Sequence, residues 1–245
     1  MLLAGAVVLT IALLVLAQAK PTATRTADQC LESGGVPAAQ VVLIDATESY
    51  TADEAGKLAY ALQRQAEALE IEGKLSIDAL QPDGKGKTLR SLFSRCKPRD
   101  GSKASALTEN GRLLGLYYSK TFTRPLQEVL DSMTALGSAD TSPILEALYA
   151  LAMTFESIDG PKRLLIVSDL LEYSKLMNMY RSYNWDKAKN IAKVKAMQDR
   201  LHGVDVMILL RLHKRAGVFQ GMRHEAFWRS YFAHAGVSRV RIMPL

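Results

Sequence analysis

The sequence predicts an α/β domain built on a doubly wound, mainly parallel sheet flanked by helices. Three observations carry that prediction. Two wholly apolar runs, Val41-Val42-Leu43-Ile44 and Leu164-Leu165-Ile166-Val167, have the unbroken hydrophobicity of strands covered on both faces. Each runs on to an acid at its carboxyl end, Asp45 and Asp169. Strand-like and helix-like stretches alternate along the chain, the order that parallel strands with helical crossovers require. At 245 residues, 48% of them hydrophobic, the chain can fill one such core and carry an appendage.

The appendage comes first. Residues 2–19 are almost entirely apolar, with Thr10 and Gln18 the clearly polar side chains, and are just long enough to cross a thin bilayer. Ala17-Gln18-Ala19 has the small-x-small form of a cleavage site, so residues 1–19 read as a signal peptide or a transmembrane anchor. The expected location is membrane-anchored or exported, in the cell envelope. The first cations, Lys20 and Arg25, follow the segment, and that charge order favours the alternative of an anchor with the domain on the cytoplasmic side. Residues 20–37, rich in Thr, Ala, Pro and Gly, read as a linker, and residues 38–245 as the domain. The chain has two cysteines, which excludes a disulfide-dense scaffold. Cys30 lies in the linker and Cys96 in a polar loop over 94–103; they are either paired, in an oxidising compartment, or two separate thiols.

After the first strand, Thr51-Ala52-Asp53-Glu54 is a capping box, and Ala55, Leu58, Leu62, Ala66 and Leu69 share one face of the helix it opens. Gly73 ends it, and Lys74–Leu80 alternates as a second strand. Asp83-Gly84-Lys85-Gly86-Lys87-Thr88 looks like a phosphate-binding loop before a short helical run, but Gln81 stands where its first glycine is needed, so a solvated basic turn is expected. Residues 105–136 read as helix interrupted at Pro125, with Gly137 closing the run. Pro143 at a first helical position makes Ser142 the expected cap of the next helix. A basic helix over 186–201, a strand over Val204–Leu210, a helix over 222–235 and a strand over Arg239–Ile242 complete the chain.

Charge is divided unevenly. Residues 179–245 hold 13 Lys and Arg against 4 Asp and Glu, within a chain of net charge +6. The basic quarter points to an acidic partner. Nucleic acid is a weaker reading of it, because no aromatic residues interleave with the cations to stack on bases. The four histidines, His202, His213, His224 and His234, lack metal-site spacing, and neither a nucleophile elbow nor a reactive cysteine setting is present.

The candidate site lies at the carboxyl end of the first strand. Asp45, Thr47 and Ser49 place three oxygen side chains at alternate positions where open α/β sheets gather ligands. One carboxylate with two hydroxyls suits Mg²⁺ or Mn²⁺ better than a softer metal. Ser142, or its neighbour Thr141, opens a later helix, and Asp169 follows a later strand. The set Asp45-x-Thr47-x-Ser49, Ser142-Pro143-x-x-x-Ala147-Leu148 and Ser168-Asp169-Leu170 resembles, in order, the three motifs of von Willebrand factor A (VWA) domains. These Rossmann-like domains carry a metal-ion-dependent adhesion site. Two departures stand out. The third motif usually reads Thr-Asp-Gly, and the second-motif hydroxyl is ambiguous between Thr141 and Ser142.

The resemblance implies a non-enzymatic interaction domain. Thr47, Ser49 and Ser142 would ligate a Mg²⁺ (or Mn²⁺) ion, with Asp45 and Asp169 direct or through water, and a partner protein would offer an acidic residue to the metal. Arg211, Lys214 and Arg215, leaving the Val204–Leu210 strand on the same edge, would steer that partner. Asp45 also resembles the nucleophile of haloacid-dehalogenase-like phosphotransferases. Thr47, however, replaces the acid expected two residues later, so general acid catalysis lacks its proton donor.

Overall fold

The computed structural model describes residues 24–82, 87–137, 139–213 and 216–245. The apolar segment 2–19, the turn residues 83–86, and Lys214 and Arg215 lie outside the described residues. Among the described residues no helix is long and apolar enough to cross a membrane.

The elements in chain order are β1 (Ala39–Asp45), α1 (Ala52–Ala68), β2 (Lys74–Leu80), β3 (Leu89–Cys96), α2 (Gly111–Tyr118), α3 (Arg124–Asp131), α4 (Ile144–Ala152), β4 (Lys162–Ser168), α5 (Trp185–Ala188), α6 (Ala192–Lys195), β5 (Val204–Leu210), α7 (Ala216–Phe219), α8 (Met222–His234) and β6 (Val240–Pro244). The strands form one sheet in the order β3-β2-β1-β4-β5-β6. All neighbours are parallel except β2 and β3. The sheet is thus doubly wound, and the strand order reverses between β1 and β4. That reversal opens a crevice beyond the carboxyl ends of those two strands, the position where such sheets hold ligands.

The unbroken apolar runs have the expected cause. Val41 and Leu43 of β1, with Leu164 and Ile166 of β4, join the core under α4 and α8. Val42, Ile44, Leu165 and Val167 face the opposite core, under α1 and α3. Each strand therefore presents apolar side chains to both layers. Full burial of such a side chain contributes about 1.5–3 kcal/mol. Leu43 and Ile44 are both fully buried.

Four local expectations are corrected. Residues 89–96 form the antiparallel edge strand β3 rather than a helical run, and Cys96 ends that strand instead of sitting in a loop. Leu92 is the extra residue of a bulge, since Ile77 pairs with Phe93 while Asp78 pairs with Ser91. The bulge shifts the alternation, and the remaining apolar spacing imitates a helix. Pro125 does not interrupt a helix. It sits in the first turn of α3, directly after the π-helical turn Ser119–Thr123. There the hydroxyls of Thr121 and Thr123 donate to the carbonyls of Tyr117 and Ser119. The basic helix expected over 186–201 is two single turns, α5 and α6. The Asn190 side-chain Nδ2 donates to the Asp186 carbonyl at 2.8 Å, while its backbone N–H turns to the Lys187 carbonyl at 3.2 Å. Val194 and Met197 nevertheless point inward as expected.

The fourth correction concerns Ser142, whose side chain does not cap α4. The buried carboxylate of Glu172 does so, accepting from the Leu145 amide at 2.9 Å. The capping box of α1, by contrast, forms as expected: Thr51 Oγ1 accepts from the Glu54 amide and Glu54 Oε2 from the Thr51 amide. Cys30 and Cys96 are joined by a disulfide across a sequence separation of 66, which ties the start of the described chain to β3.

Candidate functional site at the carboxyl edge of the sheet

Asp45 is the last residue of β1 and is 3% exposed. Its buried carboxylate is met by hydroxyls from three segments. Thr47 Oγ1 donates to Oδ1 at 2.6 Å, and the Thr47 amide donates to the same oxygen at 3.2 Å. Ser168 Oγ donates to Oδ2 at 2.7 Å and Ser142 Oγ at 3.3 Å. The strands dictate part of this convergence. β1 and β4 are in parallel register with Ile44 opposite Val167, so the residues that follow, Asp45 and Ser168, end side by side. Ser142 arrives from the opposite layer, held by a backbone bridge to Tyr173: its amide donates to the Tyr173 carbonyl at 2.8 Å and its carbonyl accepts from the Tyr173 amide at 3.0 Å. Freed from capping, its hydroxyl turns to Asp45.

Asp169 follows Ser168 directly. Burial, reinforced by the negative charge of Asp45, pushes its carboxyl up to about 7. Its Oδ1 accepts from the Leu171 amide at 2.9 Å. Two acids therefore share the crevice, and burial opposes ionisation of the second more strongly than the Arg211 charge favours it. Leu170 adopts φ +56, a conformation open to glycine at little cost. Leu170 takes that conformation while filling the core with a side chain that is 1% exposed.

The structure does not gather every expected residue. Ser49 is exposed; its carbonyl accepts from Arg211 Nη2 at 3.1 Å, and among the described residues its hydroxyl makes no hydrogen bond to Asp45. Thr141 is exposed on the rim, and of these two neighbouring hydroxyls it is that of Ser142 that reaches Asp45. Ser168 was missed, although its place between a buried strand and Asp169 marked it as a residue at the same edge. Glu172 was missed as well, and nothing in its local sequence marks a buried acid.

Arg211 leaves β5 on the same edge as Asp45, as expected, but its guanidinium is engaged. It pairs with Glu54 at 3.2 Å and lies over the Tyr50 ring at 4.1 Å. The Tyr50 hydroxyl in turn donates to the Asp45 carbonyl at 2.8 Å. Arg211 therefore braces the loop after β1 to the start of α1. The far side of that loop meets Gly137 and Ala139. The Ala139 amide donates to the Thr47 carbonyl at 3.0 Å. Gly137, at φ +116, packs where an added Cβ would stand 3.0 Å from the Ser49 amide nitrogen.

Above these residues opens a cleft of about 430 Å³. Thr47, Ser142 and Thr141 line its floor and side, and Tyr173, Tyr180 and Arg181 rise from the segment after β4. Tyr173 and Tyr180 pack edge to face, with ring centroids 6.0 Å apart. Among the described residues no three His, Cys, Asp or Glu side chains cluster as metal ligands. Any cation held here would be held largely by hydroxyls.

No family model matches the chain, and no curated protein matches it. Solved structures do. VWA2, an ArnB paralog from Sulfolobus acidocaldarius, is 12% identical over 86% of this chain and 42% of its own, with a TM-score of 0.46. An aerotolerance-related membrane protein from Bacteroides fragilis is 12% identical over 86% and 92%, with a TM-score of 0.40. A von Willebrand factor type A structure from Catenulispora acidiphila is 13% identical over 82% and 42%, with a TM-score of 0.37. Two of the three carry the von Willebrand A name. The chain spans less than half the length of those two, and the fold described here rests on its own strand order and register.

Proposed function

We propose that this chain is a VWA-like interaction domain that binds a divalent cation of the Mg²⁺ type in the crevice between β1 and β4, and through it an acidic residue of a partner protein. One observation carries the reading. Asp45, Thr47, Ser142 and Ser168 converge by hydrogen bonds at the point where the strand order reverses, and the buried acid Asp169 feels the charge of Asp45 there. The donors fit such an ion. All are hard oxygens, and Mg²⁺ prefers few carboxylates with several neutral oxygens and water.

Asp45, Thr47, Ser142 and Asp169 would hold the ion, with Ser168 orienting Asp45. Bound there, the cation would supply an electrophilic position for an outside carboxylate. The chain's own groups do the rest. The hydroxyls fix the Asp45 oxygens, and Arg211 with Tyr50 steadies the loop that carries Thr47. Tyr173 and Tyr180 wall the cleft through which a partner's side chain would enter. Membrane attachment or export through residues 2–19 belongs to the same proposal. The Cys30–Cys96 disulfide supports a domain facing an oxidising compartment over one facing the cytoplasm.

Calorimetric titration of Mn²⁺ into the chain tests the reading. The wild type is expected to bind one ion, and Asp45→Ala and Asp169→Ala to bind none. Equal Mn²⁺ affinity in wild type and Asp45→Ala would remove the site.

A further inference from the structure

We infer that His224 and Trp228 of α8 are positioning residues for Asp169, acting through the peptide that joins Leu170 to Leu171. The inference rests on the cation-site reading above. His224 is 3% exposed and Trp228 is fully buried. Both aim a ring nitrogen at one acceptor: His224 Nε2 lies 2.9 Å and Trp228 Nε1 2.8 Å from the Leu170 carbonyl oxygen. A carbonyl oxygen has two lone pairs, and two donors occupy it fully. The indole can only donate. With a carbonyl as its partner, His224 must carry its proton on Nε2.

What that carbonyl belongs to matters more than the bonds themselves. The Leu170 C=O and the Leu171 N–H are two ends of one planar peptide unit. The N–H end donates to Asp169 Oδ1 at 2.9 Å. Gripping the carbonyl therefore fixes the plane of the peptide, and the plane fixes where the Asp169 carboxylate is held. The grip has something to oppose, because Leu170 sits at φ +56, where its Cβ crowds the backbone. Without two strong donors on the carbonyl, that residue gains by rotating to negative φ, which would turn the Leu171 amide away from Asp169.

Other contacts converge on the same short segment. The Leu170 amide donates to Ser168 Oγ at 2.8 Å, and the same hydroxyl donates to Asp45 Oδ2. Gln220 Nε2 donates to the Asp169 carbonyl at 2.9 Å and to the Arg211 carbonyl at 2.8 Å. The helix α8 thus reaches the crevice without touching it.

The test uses the full chain, with Mn²⁺ followed by its paramagnetic resonance signal and amide exchange followed in metal-free protein. Trp228→Phe and His224→Leu each remove one donor while keeping an apolar body. Each is expected to weaken Mn²⁺ binding by about 10-fold, the usual consequence of losing a group that orients a ligand. The Leu171 amide should exchange faster in both, while amides in the middle of α1 keep their protection. His224→Gln, which retains a donor, should restore both properties. Wild-type Mn²⁺ affinity together with wild-type protection of the Leu171 amide in Trp228→Phe and His224→Leu overturns the inference. Should the wild type itself bind no Mn²⁺, the cation-site reading fails, and the Leu171 exchange rates alone decide the positioning role. Acceleration in both donor-removing variants upholds it, and unchanged rates overturn it.

Discussion

The loops that follow β1 and β4 each carry an acid, yet they treat it in opposite ways. Asp45 is buried and receives donors from Thr47, Ser142 and Ser168 on both of its oxygens. Asp169, one residue beyond the neighbouring strand, receives the Leu171 amide, and burial, with the charges of Asp45 and Glu48 outweighing that of Arg211, pushes its carboxyl up to about 7. The difference separates two jobs at one edge. Asp45 is the acceptor around which the hydroxyls are organised. Asp169 is the acid whose ionisation burial opposes, and on the proposed reading a bound cation would favour its charged form.

The largest expected perturbation lies outside both loops and sharpens the comparison. Replacing Cys30 and Cys96 with serine should lower unfolding free energy by about 4 kcal/mol on the chain-entropy account. Urea unfolding measures it, and Mn²⁺ affinity should hardly change, because neither loop touches the disulfide. Next comes Asp45→Ala. Beyond abolishing cation binding, it leaves the hydroxyls of Thr47, Ser142 and Ser168 without their shared acceptor. A loss of about 3 kcal/mol in urea unfolding is expected, with the circular dichroism spectrum retained. A loss below measurement error would mean that Asp45 does not organise the hydroxyls.

The pH response should belong to the other loop. A carboxyl raised in the folded state binds more protons there than in the unfolded chain at pH between about 4 and 7. Stability contributed by Asp169 is therefore full below about pH 4, falls as pH rises toward 7, and levels off above it. Glu172, raised to about 7 by burial, acts in the same direction and window. Asp169→Asn should flatten the stability profile between pH 4 and 7, leaving the smaller slope due to Glu172. An unchanged profile would show that Asp169 ionises normally. The smallest effect is expected from Ser168→Ala, which removes one of the donors to Asp45 and should cost about 1 kcal/mol in urea unfolding.

Much of the architecture was legible because it depends on patterns a chain cannot hide. Val41–Ile44 and Leu164–Val167 are apolar at every position because both sheet faces are covered. The capping box at Thr51 and Glu54 is a local device that forms as written. Three motif residues, Asp45, Thr47 and Asp169, also fell where expected, since a strand's end fixes the edge to which it delivers the next side chain. The misreadings share a different cause. The bulge at Leu92, the Thr121 and Thr123 bonds that accommodate Pro125, and the Asn190 bond that splits the basic segment each depend on one backbone group finding one partner. Ser142 looked like a cap because Pro143 follows it. The true cap, Glu172, comes from the far side of β4, and only the assembled fold brings it there. Arg211 looked free because Glu54 and Tyr50 are more than 150 residues distant in sequence.

The central claim, that Asp169 is the carboxylate held ready for a cation beside the hydroxyl-bound Asp45, is most directly tested by titrating Mn²⁺ at pH 7.5 and pH 5.5 in buffers of different ionisation enthalpy. One site should bind at both pH values, more weakly at pH 5.5. At that pH the observed heat should vary with the buffer, because a protonated Asp169 must release its proton to the solution. Asp169→Asn should lose most of the affinity along with the pH and buffer dependence. Binding that is equally tight at both pH values and takes up or releases no proton would contradict the account.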